Sequence, residues 1–165
     1  YPSLRELKKI KYRSVHLGSF IPWDVKKQYE LIKNELGWKG DEVEGMPPNI
    51  YSYEKIECAM QGVRDYLKYL KRGYSRVSQM CALDIRNERL SKAEAEKLIA
   101  VWEGKKPHSL EIFLEYLGME EYEFNDIVKK LIVAPNNPSI PSEELSNKTS
   151  DFDLWYRENN KLKNH

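Results

Sequence analysis

The chain has little of what most metal-binding and catalytic signatures require. Its 165 residues hold two cysteines and three histidines. Cys58 and Cys81 have no Cys or His neighbour at metal-ligand spacing, so a zinc site is excluded. Both fall in predicted helices and are expected to be buried or half-buried thiols. So few cysteines build no disulfide framework, which fits a reducing, cytoplasmic location. His16 lies in a strand-like run, His108 follows Pro107 in a loop, and His165 is terminal. None has the neighbours of a catalytic triad, and there is no HExxH, Walker loop or paired-glycine phosphate motif. No apolar run approaches the roughly 18 residues of a membrane span. The charged opening YPSLRELKKI does not read as a signal peptide. A net charge of only +1 argues against general nucleic-acid binding.

What is present describes a globular protein of one medium domain, with 41% hydrophobic and 32% charged residues. The chain opens on Tyr1 rather than Met, as a processed product or a piece of a longer protein would. Hydrophobic periodicity predicts a mainly α fold. Ser3 and Glu6 have capping-box spacing before a helix from Leu4 to about Lys11. The partial alternation of Val15, Leu17 and Phe20 predicts one short strand. Asp24 then caps a helix that Gly37 closes. Residues 38–49, with two glycines and two prolines, form a loop. Ile56, Ala59, Met60, Val63, Leu67 and Leu70 make one stripe, which predicts a helix from Tyr53 to Leu70. Gly73 ends it. Further helices are expected from Arg76 to Asn87, from the Ser91/Glu94 capping box to Gly104, from a Ser109 cap to Gly118, and from Glu120 to Leu131. Residues 1–134 are expected to form the helical domain. A Pro/Ser-rich linker and tail, residues 135–165, would follow, ending in the aromatic segment DFDLWYRENNKLKNH.

Charge is concentrated at the centre. Between Arg64 and Arg89 there are seven basic residues and three acidic ones, a local excess of +4. The junction Lys71-Arg72-Gly73-Tyr74-Ser75-Arg76 joins two helices through a glycine. Arg76 and Ser78 would sit at the N-terminus of the second helix, where unpaired N–H groups and the dipole favour an anion. Arginine can fork two hydrogen bonds onto a phosphate and lysine adds a point charge. A helix C-cap with cations at its negative end accounts for the same pattern. Asp84 and Arg86 could orient a ligand group, or Asp84 could form an internal salt bridge. Residues 109–128 carry six acids and no Lys or Arg; they could face water or pair with the basic centre. Most of the central tyrosines are expected to pack in the core.

The ordered strings IPWD (residues 21–24), YSYEKIE (51–57), LKRGYSR (70–76), ALDIRNERLSKAEAEKLI (82–99) and IFLEYLGMEEYEF (112–124) resemble the C-terminal part of the N-acetyl sugar amidotransferase family. Two positions depart from the usual pattern: Arg72 stands where an aromatic is common, and Asn87-Glu88 follow Arg86 where a glycine is common. The resemblance implies the helical end of a longer enzyme of surface-polysaccharide (lipopolysaccharide) biosynthesis. A preceding PP-loop ATP pyrophosphatase domain is implied, from whose α/β core the short strand would be left over. The implied reaction converts an acetamido group on a nucleotide-linked sugar into an acetamidino group. ATP, with Mg, would activate the amide oxygen, and a separate glutaminase would supply ammonia. The resemblance raises Lys71, Arg76 and Arg86 as phosphate- or substrate-binding residues, with Arg72 and Ser78 behind them. It leaves the catalytic residues unassigned and implies no metal ligand. The piece alone is expected to bind no cofactor and to be inactive in ATP hydrolysis. A homo-oligomer is allowed. The other classes that fit are a non-enzymatic module gripping RNA or a phosphorylated partner, and an oligomerisation domain.

Overall fold

A computed structural model of the chain describes residues 2–140 and 142. The described residues form seven α-helices and one short 3-10 turn, with no strand. The chain divides into two compact units, Tyr1–Lys39 and Gly40–His165. The aromatic segment at 151–165 and His165 lie outside the described residues.

In the first unit, α1 (Leu4–Lys9) starts at the expected capping box. The Ser3 N–H donates to Glu6 Oε2 at 2.7 Å, and the Glu6 N–H donates to Ser3 Oγ at 3.3 Å. The expected strand does not form. Leu17–Ser19 instead make a 3-10 turn, closed by the Phe20 N–H on the Leu17 carbonyl at 2.9 Å. A strand needs a neighbour to pair its backbone groups, and Val15, Leu17 and Phe20 are all exposed, so their alternation meets no buried face. Helix α2 (Val25–Leu36) starts under the Asp24 carboxylate, which accepts from the backbone N–H groups of Lys26 and Lys27, and it ends at Gly37. The Trp38 ring meets Tyr29 edge-on at 5.6 Å.

The second unit holds α3 (Gln61–Arg72), α4 (Arg76–Arg86), α5 (Lys92–Trp102), α6 (Ser109–Leu117) and α7 (Glu121–Lys129). Helix α4 packs on α5, and α3 packs on α6 and α7. Two cores result. One gathers Val77, Met80 and Cys81 of α4 and Ala95 of α5 around the irregular Val43, Met46 and Tyr51. The other sets Val63, Tyr66 and Leu70 of α3 against Leu110 and Leu114 of α6 and Phe124 and Val128 of α7.

This division explains why α3 begins eight residues later than its apolar stripe predicts. Tyr51 and Ile56 belong to the first core and Val63 to the second. One straight helix cannot serve both, and residues 51–60 run as turns and bends, with Lys55 at φ 59°, which no right-handed helix allows. The same turns leave Cys58 exposed rather than buried, while Cys81 is buried as expected. Ser109 does not cap α6 as the sequence predicts. It is the first helical residue, fully buried, and its hydroxyl and N–H both donate to the Glu44 carboxylate. Its capping capacity is spent on a partner 65 residues away. The segment after α7 returns to α3. Val133 N–H donates to the Lys71 carbonyl at 3.0 Å, and Asn136 Nδ2 donates to the carbonyls of Tyr69 and Leu70 at 3.2 and 2.7 Å. The Tyr66 hydroxyl reaches Ser142 Oγ at 3.1 Å.

Candidate functional site

The basic elbow is where the sequence places it, between α3 and α4. Gly73 caps α3 in the left-handed region at φ 80°, which a side chain would resist. A Cβ there would also come within 3.0 Å of Asn136 Oδ1, the side chain that closes the last carbonyls of α3. The elbow is therefore a tight turn fixed from both sides.

Its cations divide into two sets. Arg76 turns inward, with 11% of its side chain exposed. Its Nε donates to Asp65 Oδ2 at 2.8 Å, Nη2 reaches Asp65 Oδ1 at 3.3 Å, and Nη1 pairs with Glu54. Lys71, Arg72 and Arg86 are exposed, with no side-chain partner among the described residues. Arg86 ends α4, ten residues beyond Arg76, so the helical rise puts it about 15 Å away. The structure thus keeps Lys71 and Arg72 together at the elbow and leaves Arg86 apart.

The N-terminus of α4 is expected from sequence to offer unpaired N–H groups to an anion. The anion it holds is the protein's own. The Glu103 carboxylate, from the end of α5, accepts from the Ser75 N–H and from the Ser78 hydroxyl. With Glu54 and Asp65 on Arg76, three carboxylates surround this helix start. Sequence reasoning missed all three because they come from 11 to 28 residues away.

Beside the elbow lies a groove of about 470 Å³, lined among others by Tyr69, Gly73, Ser78, Glu103, Gly104 and Lys105. Ser139 and Ser142 add hydroxyls to its wall. The volume falls in the range of small-ligand sites. Its lining of hydroxyls, one carboxylate, one ammonium and an aromatic ring can hydrogen-bond a polyhydroxylated ligand and stack on it.

Asp84 is structural. It is buried, accepts from the Tyr51 hydroxyl at 3.1 Å and pairs with Arg89 at 2.8 Å, not with Arg86. Burial pushes the Tyr51 hydroxyl pKa well above its ordinary value, with the neighbouring Cys81 and Asp84 acting the same way. Burial likewise pushes the Cys81 thiol up. Neither group is an activated nucleophile. The acids of residues 109–128 mostly face water; Glu121 pairs with Lys106 at 3.2 Å and Asp126 with Lys129 at 3.0 Å. Tyr74 is exposed and lies under the Lys68 ammonium, 5.0 Å from its ring centre. Among the described residues, no group of three or more His, Cys, Asp or Glu could hold a metal ion.

Comparison with known families decides the assignment. The family described as LPS biosynthesis protein WbpG-like, C-terminal domain, matches residues 49–150. The chain belongs to this WbpG-like family. No curated protein and no solved structure matches it. The matched span takes in the elbow, the groove and the carboxylates of Glu54, Asp65 and Glu103, so the WbpG-like domain contains the candidate site. The whole of the first unit lies before the matched span. No described helix is long and apolar enough to cross a membrane.

Proposed function

We propose that this WbpG-like domain is the sugar-nucleotide-holding end of an amidotransferase in lipopolysaccharide biosynthesis. The reaction replaces the oxygen of an acetamido group by nitrogen, giving an acetamidino group on a nucleotide-linked sugar. A PP-loop domain uses ATP and a glutaminase supplies ammonia. On this reading ATP and Mg belong to that other domain.

One observation carries the reading. Two exposed cations, Lys71 and Arg72, run directly into Gly73, which lines the 470 Å³ groove. The groove takes the sugar through Ser78, Glu103 and Tyr69, and the cations hold the diphosphate beside it. Arg76 positions the elbow instead of touching the ligand, because Asp65 and Glu54 already occupy its guanidinium. Arg86, at the far end of α4, does not line this groove.

Calorimetric titration of the chain with a UDP-N-acetyl sugar tests this. Saturable binding is expected, weakened about tenfold by Lys71→Ala with Arg72→Ala, since each exposed charge-assisted bond contributes modestly. The thermal midpoint of that variant should be unchanged. The proposal fails if the unaltered chain gives no binding heat with any nucleotide sugar, or if the double variant binds as well.

A further inference from the structure

Residues 133–142, VAPNNPSIPS, hold three prolines and no Lys, Arg, Asp or Glu. Such a run has no apolar stripe on which to build a helix. Its described residues, 133–140 and 142, are nevertheless fastened to α3.

The fastening uses groups that a helix end leaves unpaired. The last four carbonyls of α3 have no partner within the helix. The Asn136 carboxamide nitrogen carries two hydrogens and donates to two of them, Tyr69 at 3.2 Å and Leu70 at 2.7 Å. The Val133 N–H donates to a third, that of Lys71, at 3.0 Å. The Asn136 N–H turns back onto the Val133 carbonyl at 3.1 Å. Further along, Ile140 packs on the core that holds Tyr66 and Leu70. The Tyr66 hydroxyl donates to Ser142 Oγ, which donates in turn to the Ser139 carbonyl, both at 3.1 Å. Gly73 leaves room for the fastening, since a Cβ there would meet Asn136 Oδ1 at 3.0 Å.

This anchoring sets hydroxyl groups on the groove. Tyr69 and Gly73 of α3, Ser78 of α4 and Glu103 after α5 line it, and the segment adds Ser139 and Ser142. Ser139 is exposed, and its hydroxyl makes no hydrogen bond among the described residues. Lys71, Arg72 and Asn136 do not line the groove. Sugar hydroxyls and phosphates therefore meet different parts of the protein. A bare nucleotide meets the two cations of the elbow, whereas one that carries a sugar also meets the wall. A polar wall that pairs with hydroxyl groups favours ligands that supply them.

We infer that residues 133–142 are the wall that selects sugar-bearing nucleotides over bare ones, and that Asn136 is its positioning residue. The inference rests on the sugar-nucleotide reading above. Asn136 touches no ligand. It holds the segment to the last turn of α3, the turn that also bears Lys71 and Arg72.

Calorimetric titration of the whole chain with UDP-N-acetylglucosamine and, separately, with UDP tests the inference. Asn136→Ala should weaken the sugar nucleotide about tenfold, the equivalent of one or two neutral hydrogen bonds, and leave UDP within about twofold. Ser139→Ala removes a wall hydroxyl without touching the anchor. It should weaken the sugar nucleotide about threefold, spare UDP and leave the thermal midpoint unchanged, so it decides the matter if Asn136→Ala does not fold. Lys71→Ala with Arg72→Ala should weaken both ligands. Hydrogen exchange checks the anchor without any ligand: the Val133 and Asn136 amides should exchange at least about tenfold faster in Asn136→Ala, with the α4 and α5 amides unchanged. Equal losses for both ligands in Asn136→Ala would mean that Asn136 only stabilises the elbow, and would overturn the inference while leaving the sugar-nucleotide reading intact. So would unchanged affinity for the sugar nucleotide in Asn136→Ala and Ser139→Ala, or unchanged exchange at Val133. An unaltered chain that binds no nucleotide sugar overturns the reading itself, and the inference with it.

Discussion

Removing Arg76 separates a structural from a ligand-binding role for the elbow. The guanidinium contacts Asp65 through two nitrogens and Glu54 through a third, and the three side chains are 11%, 14% and 20% exposed. At 2.8 Å and an effective dielectric of about 20, the Arg76–Asp65 attraction alone is about 6 kcal/mol. Most of that is cancelled by the cost of drying the three charged groups, so the intact cluster contributes little net stability. Arg76→Ala keeps the cost and deletes the compensation. Two carboxylates then face each other near the Glu103 carboxylate at the same helix start. Unfolding in urea, followed by helical circular dichroism at neutral pH, should show a loss of about 3 kcal/mol. Arg76→Lys should lose about half as much, because one ammonium cannot fork across two acids. Adding Asp65→Asn to Arg76→Ala should recover part of the loss by removing an orphaned charge. A loss below about 1 kcal/mol for Arg76→Ala, with nucleotide-sugar binding abolished, would refute the reasoning: the guanidinium would then face a ligand.

Two further outcomes follow from the packing. Gly62 sits in the first turn of α3, and a Cβ there would strike Glu44 Oε2, the oxygen that accepts from Ser109. Gly62→Ala alone should destabilise by about 1–2 kcal/mol, and in a Glu44→Ala background its cost should shrink toward zero, because helix propensity then offsets the remaining 3.0 Å approach to Ser109 Oγ; an equal cost in both backgrounds would show that Glu44 is not the main obstacle. The raised Tyr51 pKa sets an alkaline limit. A folded value above the unfolded one leaves its stabilisation intact below about pH 10, and the unfolded state gains as pH rises past that point. Urea midpoints should therefore fall above about pH 10, less steeply in Tyr51→Phe, and an unchanged slope in that variant would reject the assignment.

What the sequence made legible was local. The capping boxes at Ser3/Glu6 and Ser91/Glu94 and the left-handed stops at Gly37, Gly73 and Gly118 are set within a few residues, and all are present in the structure. The stripe through Ile56 and Val63 misled because periodicity cannot tell one core from two. The strand at Val15–Phe20 misled because alternation signals a sheet only where one face is buried, and that unit buries nothing. At the elbow, composition showed a cationic excess, but the partners that spend it come from afar. Glu54 is 22 residues from Arg76, and Glu103 is 28 from Ser75. No local spacing rule carries that pairing.

The placement of those carboxylates narrows how an anion can bind here. A helix N-terminus is the usual receptor for phosphate, yet at the start of α4 the Glu103 carboxylate already sits on the Ser75 N–H and the Ser78 hydroxyl, and Arg76 beside it is neutralised by Asp65 and Glu54. The cations that remain exposed at the elbow, Lys71 and Arg72, lie in the last turn of α3, where the helix dipole is negative and favours the cations themselves. An anion held there meets two flexible charges and no converging N–H groups, so its affinity falls steeply with salt. Tight and specific holding of a sugar nucleotide at this elbow therefore requires the groove to grip the sugar, or a second protein surface to supply donors from the open side. If the groove holds the sugar as proposed, the carboxylates around the start of α4 would act as a fixed screen, leaving the sugar's hydroxyl groups to Ser78 and Glu103 and turning the diphosphate toward Lys71 and Arg72.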